Sequence, residues 1–233
     1  MTKTHVVSLL KKNRNERGIA HWKRINDADT SLKSFGIGLT VLRKLAKQIG
    51  RDAKLAQSLW KTDIYDAKII GLLIDDPKTI TRDQVEQQVE HLGGGMLIHV
   101  FSSCDATLTK TPFAFDLAKE WMSSKDEIRR QCAYGLLYEL SKKNPKGMDD
   151  AFLLSTIQHI QAKIHSEPMW VREAMNGALL GIGKRSPTLN KAAIKAVKAI
   201  GPVDVDYGDD NQCEPIDVLK HLTSKSTQAK FRA

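Results

Sequence analysis

Two stretches of this chain repeat one another at a fixed offset, and that repetition restricts the folds open to it more than any other feature. Val171-Arg172-Glu173-Ala174-Met175-Asn176-Gly177-Ala178-Leu179-Leu180-Gly181-Ile182-Gly183 is preceded by Ile128-Arg129-Arg130-Gln131-Cys132-Ala133-Tyr134-Gly135-Leu136-Leu137-Tyr138. Ile128, Arg129, Leu136 and Leu137 answer Val171, Arg172, Leu179 and Leu180 at an offset of 43 residues. A weaker copy lies at Ile64 to Ile74, and Leu55 to Lys61 echoes Leu117 to Met122 in the helix before each. Val171, Met175, Ala178, Leu179 and Ile182 fall on one face of a helix, which Pro187 is expected to end. A period near 40 residues built from paired helices marks HEAT or armadillo repeats, in which each pair buries its apolar stripe only against its neighbours. The expected fold is therefore all-α, an α-solenoid of HEAT/armadillo-like repeats. An ordinary helical bundle with chance similarity is the alternative.

At 233 residues the chain fits a single repeat domain over 1–222, with no internal linker to cut at, followed by a disordered basic tail over 223–233. Within it, apolar spacing predicts helices over 4–25 (one or two, interrupted near Asn13 to Gly18), Leu39 to Ile49, Met96 to Leu108, Met148 to Ile164 and Asn190 to Ile200. Thr81 has the chemistry of an N-cap and Gly50 that of a residue just past a helix end. Gly93-Gly94-Gly95 reads as a turn.

Three cysteines at positions 104, 132 and 213 match neither a disulfide framework nor a zinc site, which points to a reducing cytoplasm. His159 and His165 are not spaced as a metal pair on one helix face. The acidic segment Val203 to Pro215 lacks the spacing of a calcium loop and reads as a structural loop, so no metal and no cofactor is expected. The N-terminus breaks its apolar run too early for a signal peptide or membrane span. Lys and Arg number 36 against 27 Asp and Glu, a net charge of +9, which favours a polyanionic partner. Arg43, Lys44 and Lys47 form a basic edge off the apolar stripe of their helix, and Lys191, Lys195 and Lys198 share one face.

Taken in order, Phe35-Gly36-Ile37-Gly38, Leu42-Arg43-Lys44-Leu45-Ala46-Lys47, Leu73-Ile74-Asp75-Asp76-Pro77-Lys78, Thr111-Pro112-Phe113-Ala114, Ile128-Arg129-Arg130, Val171 to Asn176 and Val203-Asp204-Val205-Asp206-Tyr207-Gly208-Asp209 resemble the DNA alkylation repair family of HEAT-like bacterial alkylpurine DNA glycosylases. The resemblance implies a basic concave face for double-stranded DNA. From the size of the solenoid, the N-terminus and the cysteines, the expectation is a monomer without membrane attachment in the cytoplasm, nucleoid-associated when bound to DNA. The resemblance also implies excision of N3- and N7-alkylated purines. There a carboxylate one helical turn after a tryptophan stabilises the oxocarbenium-like sugar, and a second tryptophan lies on a late helix.

This sequence departs from that pattern. The first tryptophan position falls on Gly95 or Leu97, the carboxylate position on His99 or Phe101, and the late tryptophan position on Gly177. No carboxylate lies between Glu90 and Asp105. The expected function is therefore binding of damaged or distorted duplex DNA without the standard glycosylase site. The alternatives are a glycosylase that uses Asp105 or His99 as a substitute, and a protein-interaction scaffold. Arg130 matches the family's DNA-contacting arginine, and Arg129, Arg172, the turn Lys184-Arg185, Arg43 and Lys47 complete the expected DNA contacts, each weighed against an ordinary scaffold or solvated role.

Overall fold

The computed structural model describes residues 1–25 (the side chain of 25 excepted), 31–93, 95–103, 106–143, 145–207 and 214–231. Among them are fourteen α-helices, and β-pairing is limited to one isolated bridge between Lys33 and Ile64. The chain divides into two units, Met1–Pro112 and Phe113–Ala233.

The first unit holds α1 (Lys3–Lys12), α2 (Glu16–Ile25), α3 (Leu39–Ile49), α4 (Ala53–Trp60), α5 (Tyr65–Ile74), α6 (Arg82–Val89) and α7 (Leu97–Ser102). Its centre is α5, packed by α3, α4 and α7 and apolar nearly all round, as a helix enclosed by neighbours must be. Thr81 caps α6 by accepting from the Gln84 N–H at 3.2 Å, and Gly50 closes α3 at φ +78°, both as the sequence suggests.

Two motifs that carry the family resemblance are held here by buried carboxylates. Asp66 accepts from the N–H groups of Phe35 (2.7 Å) and Ile37 (3.1 Å) and from the Ser34 hydroxyl (3.1 Å), fixing the Phe35-Gly36-Ile37-Gly38 segment against α5. Asp75 accepts from the Gln57 and Gln84 side-chain amides at 2.9 and 2.7 Å and from the Asp76 N–H at 2.9 Å. Burial pushes both carboxyls up and the hydrogen bonds pull them back, the balance lying above the ordinary value.

The second unit holds α8 (Ala114–Trp121), α9 (Glu127–Ser141), α10 (Asp150–Lys163), α11 (Met169–Gly183), α12 (Pro187–Ile200), α13 (Val218–Thr223) and α14 (Lys225–Ala229). The 43-residue repeat is the stacking of α9 on α11, each preceded by a shorter partner, α8 or α10; α4 with α5 is the weaker copy in the first unit. Leu136, Leu137, Ala178, Leu179 and Ile182 are all 1 % exposed or less, so the repeated stripe is the seam between the stacked helices.

Three boundaries differ from the sequence reading. The Met96 to Leu108 helix stops after Ser102, whose hydroxyl bonds back to the Ile98 carbonyl, and resumes only as a short 3₁₀ turn at Leu108–Lys110. Pro187 opens α12, behind the capping hydroxyl of Ser186, rather than closing α11. Residues 225–229, expected to be disordered, form α14: Thr227 is buried, and the Gln228 amide donates to Asn190 Oδ1 at 3.2 Å and the Leu222 carbonyl at 2.7 Å.

Candidate nucleic-acid interface

The residues standing where the resemblance places its chemistry lie on two short stretches. In α7, Leu97 and Phe101 are 0 and 2 % exposed and point into the core, so neither can meet a ligand, whereas His99 on the opposite side is exposed. Asp105, the proposed substitute carboxylate, falls outside the described residues. Gly95 sits at φ +56°, and a Cβ there would come within 2.8 Å of the Trp22 ring and 2.9 Å of the Tyr65 ring and hydroxyl. Trp22 and Tyr65 pack with centroids 4.2 Å apart, and the Tyr65 hydroxyl accepts the Met96 N–H at 2.9 Å. The glycine turn is thus seated on an aromatic pair from α2 and α5, with no room for an outward tryptophan. Burial pushes the Tyr65 phenol up to about 12, so it remains neutral.

Gly177, at the late tryptophan position on α11, is the opposite case. A Cβ there would meet nothing within 4 Å. The space its side chain would enter is open.

The basic residues sort into two groups. Some are built into the scaffold. Arg130, near the start of α9, pairs through Nε with Glu167 at 2.9 Å, both side chains being 17 and 15 % exposed, and its Nη1 donates to the Ser124 and Lys125 carbonyls at 2.9 Å each. Arg185 donates through Nη2 to the Met148 carbonyl at 2.6 Å and lies 3.9 Å from Asp150. Arg129 and Arg172 are half-buried, and the buried Arg172 Nε has no hydrogen-bond partner among the described residues. The N-terminus of α9 is itself capped by Asp126, which accepts from the Arg129 N–H at 2.8 Å.

Others face outward. Arg43 and Lys47 are exposed on α3, four residues apart and so on one side of that helix. Lys184, the cap at the end of α11, is exposed, and its ammonium is pushed down first by desolvation and then by the fields of Lys230 and Lys142. Lys230 and Lys142 cap the ends of α14 and α9, so three helix termini of this unit converge their cations, Lys142 being already paired with Glu139 at 2.8 Å. Each is favourable against its own helix dipole, yet together they repel, and an anion would relieve that repulsion. Lys191, Lys195 and Lys198 are all exposed along α12. No described group of three or more His, Cys, Asp or Glu side chains could hold a metal. No helix is long and apolar enough, among the described residues, to cross a membrane.

Sequence reasoning named Lys184 but missed its companions Lys142 and Lys230, which lie far from it in the chain. Their shared role as end caps of repeat helices was the available signal.

Comparison with known proteins agrees with the repeat architecture. A solved structure described as belonging to "a new family of proteins related to the HEAT-like repeat DNA glycosylases with affinity for branched DNA structures" superposes with a TM-score of 0.81 at 20% identity, covering 99% of this chain and 96% of the other. The all-α, HEAT-like repeat fold follows from that likeness. The uncharacterized protein Lin0241 of Listeria innocua is 23% identical over 82% of this chain and 83% of its own, and Lmo0209 of Listeria monocytogenes is 22% identical over 86% and 87%. Residues 6–208 match the family described as DNA alkylation repair enzyme, and the chain belongs to that family.

Proposed function

We propose that this protein binds DNA, with a preference for branched or otherwise distorted duplex, and does so without the tryptophan–carboxylate site of the alkylpurine glycosylases. The observation that carries the reading is the pair of glycines: Gly95 is packed shut by Trp22 and Tyr65, and Gly177 offers no side chain at all. A family member altered at both aromatic positions keeps the repeat scaffold and an excess of cations, and those suffice for phosphate binding. The structural relative's affinity for branched DNA supports the same reading.

The assigned phosphate contacts are the outward cations Arg43, Lys47 and Lys184, the last with Lys142 and Lys230. Arg130 and Arg185 act chiefly by holding the second unit together, and Arg129 and Arg172 stand at the starts of α9 and α11. The protein works as a monomer on double-stranded DNA and associates with the nucleoid.

Fluorescence anisotropy on a four-way junction and on linear duplex of equal length, across a salt series, tests this. Tighter junction binding that weakens steeply with salt is expected. Salt-independent or undetectable binding would favour a protein-interaction scaffold instead. Release of 7-methylguanine or 3-methyladenine from methylated duplex, abolished by His99→Ala or Asp105→Asn, would establish the substitute-catalyst reading.

A further inference from the structure

One cluster on α11 is used by none of this. Trp170 is 44 % exposed, whereas Trp22, Trp60 and Trp121 are at 8, 8 and 3 %. The indole is held in place. Tyr207 meets it edge to face with centroids 5.8 Å apart, and the Tyr207 hydroxyl donates to Glu173 Oε1 at 3.1 Å. The strand of chain bearing Tyr207 is fastened to the helix start by the Asp206 N–H on Met169 Sδ at 3.2 Å. Trp170, Glu173 and Gly177 are spaced three and four residues apart, so the indole, the carboxylate and the open glycine share one face over about two helical turns.

The charge around this face runs against that of the whole chain. Glu173 is half-buried and bonded by Tyr207, and Asp204 and Asp206 are exposed in the segment that leads into Tyr207. Residues 203–207 carry two aspartates and no lysine or arginine, in a protein of net charge +9. A phosphate approaching Trp170 would meet carboxylates. A cation would meet both a π-face and counter-charge, the combination that aromatic sites use for ammonium and guanidinium groups.

We propose that Trp170, Tyr207 and Glu173 form a binding site for an organic cation, an ammonium or guanidinium group lying on the indole face with Glu173 as its counter-charge. The space over Gly177 receives the remainder of the ligand. Two sources offer this chemistry, the side chain of a basic protein partner and a free polyamine. The site does not depend on the DNA reading.

Tryptophan fluorescence titrated with an arginine-containing peptide amide, with spermidine and with tetramethylammonium chloride tests it, each at constant ionic strength against sodium chloride. Saturable quenching by at least one of the three is expected, and the tightest names the source. Isothermal titration of that cation should show Trp170→Ala and Glu173→Gln each weakening binding by about tenfold or more, with unchanged far-UV circular dichroism. Quenching no greater than sodium chloride produces would overturn the proposal. So would unaltered affinity in Glu173→Gln, or preferential quenching by adenosine monophosphate, which would make the exposed indole a nucleobase platform.

Discussion

Gly95, one of the two positions with Leu97 where the family resemblance expects the first tryptophan, and Gly177, where it expects the late one, have opposite surroundings. At Gly95 the volume is already occupied by two rings of the same unit, and the backbone takes a positive φ that side chains disfavour. At Gly177 the backbone is helical and the space is empty. The same residue type thus occupies two different environments, one in which rings of the core already fill the side-chain volume and one in which that volume is empty.

The largest effect that would break this comparison comes from restoring the ring. Gly95→Trp must displace Trp22 or Tyr65 and strain the turn, and is expected to destabilise by about 3 kcal/mol or more. Gly177→Trp is expected to stay within about 1 kcal/mol of the parent, because the ring enters open space and the helix loses a glycine. Chemical denaturation of both variants checks this, and equal losses would erase the distinction.

The next effect separates scaffold cations from outward ones. Arg130→Ala leaves Glu167 unpaired in a mostly buried position, with an expected loss of about 2 kcal/mol. Lys184→Ala should change stability by less than about 0.5 kcal/mol while lowering the salt slope of DNA binding by about one. Thermal denaturation and salt-series binding on the two variants read both quantities.

A smaller effect tests the seat beneath Gly95. The Tyr65 phenol is raised to about 12, so its contribution to stability is fully present below the ordinary tyrosine value of 10 and is lost as pH rises through about 12. Ultraviolet titration should show a tyrosine ionising near pH 12 that disappears in Tyr65→Phe. That variant also leaves the Met96 N–H without its acceptor and should cost about 1 kcal/mol at neutral pH.

What could be read from the sequence was whatever repeats locally. The stripes of α9 and α11, the Thr81 cap and the Gly50 terminus follow from short-range periodicity and hydrogen-bond chemistry, and all are present. The early end of α7 was hidden because its apolar run continues while the serine at 102 turns back on its own helix. Arg130 matched a DNA-contacting position, but its partner Glu167 lies 37 residues away, beyond any local pattern. Tyr65 reaches Met96 across 31 residues, so nothing near the glycines announced that their turn was filled. Asp105 was legible only as a candidate and lies outside the described residues.

The most direct measurement places purified protein with a methylated four-way junction and a methylated linear duplex, following binding and free alkylated base in the same samples. The account predicts salt-sensitive binding, tighter on the junction, with base release no faster than in buffer. Release well above the spontaneous rate would contradict it.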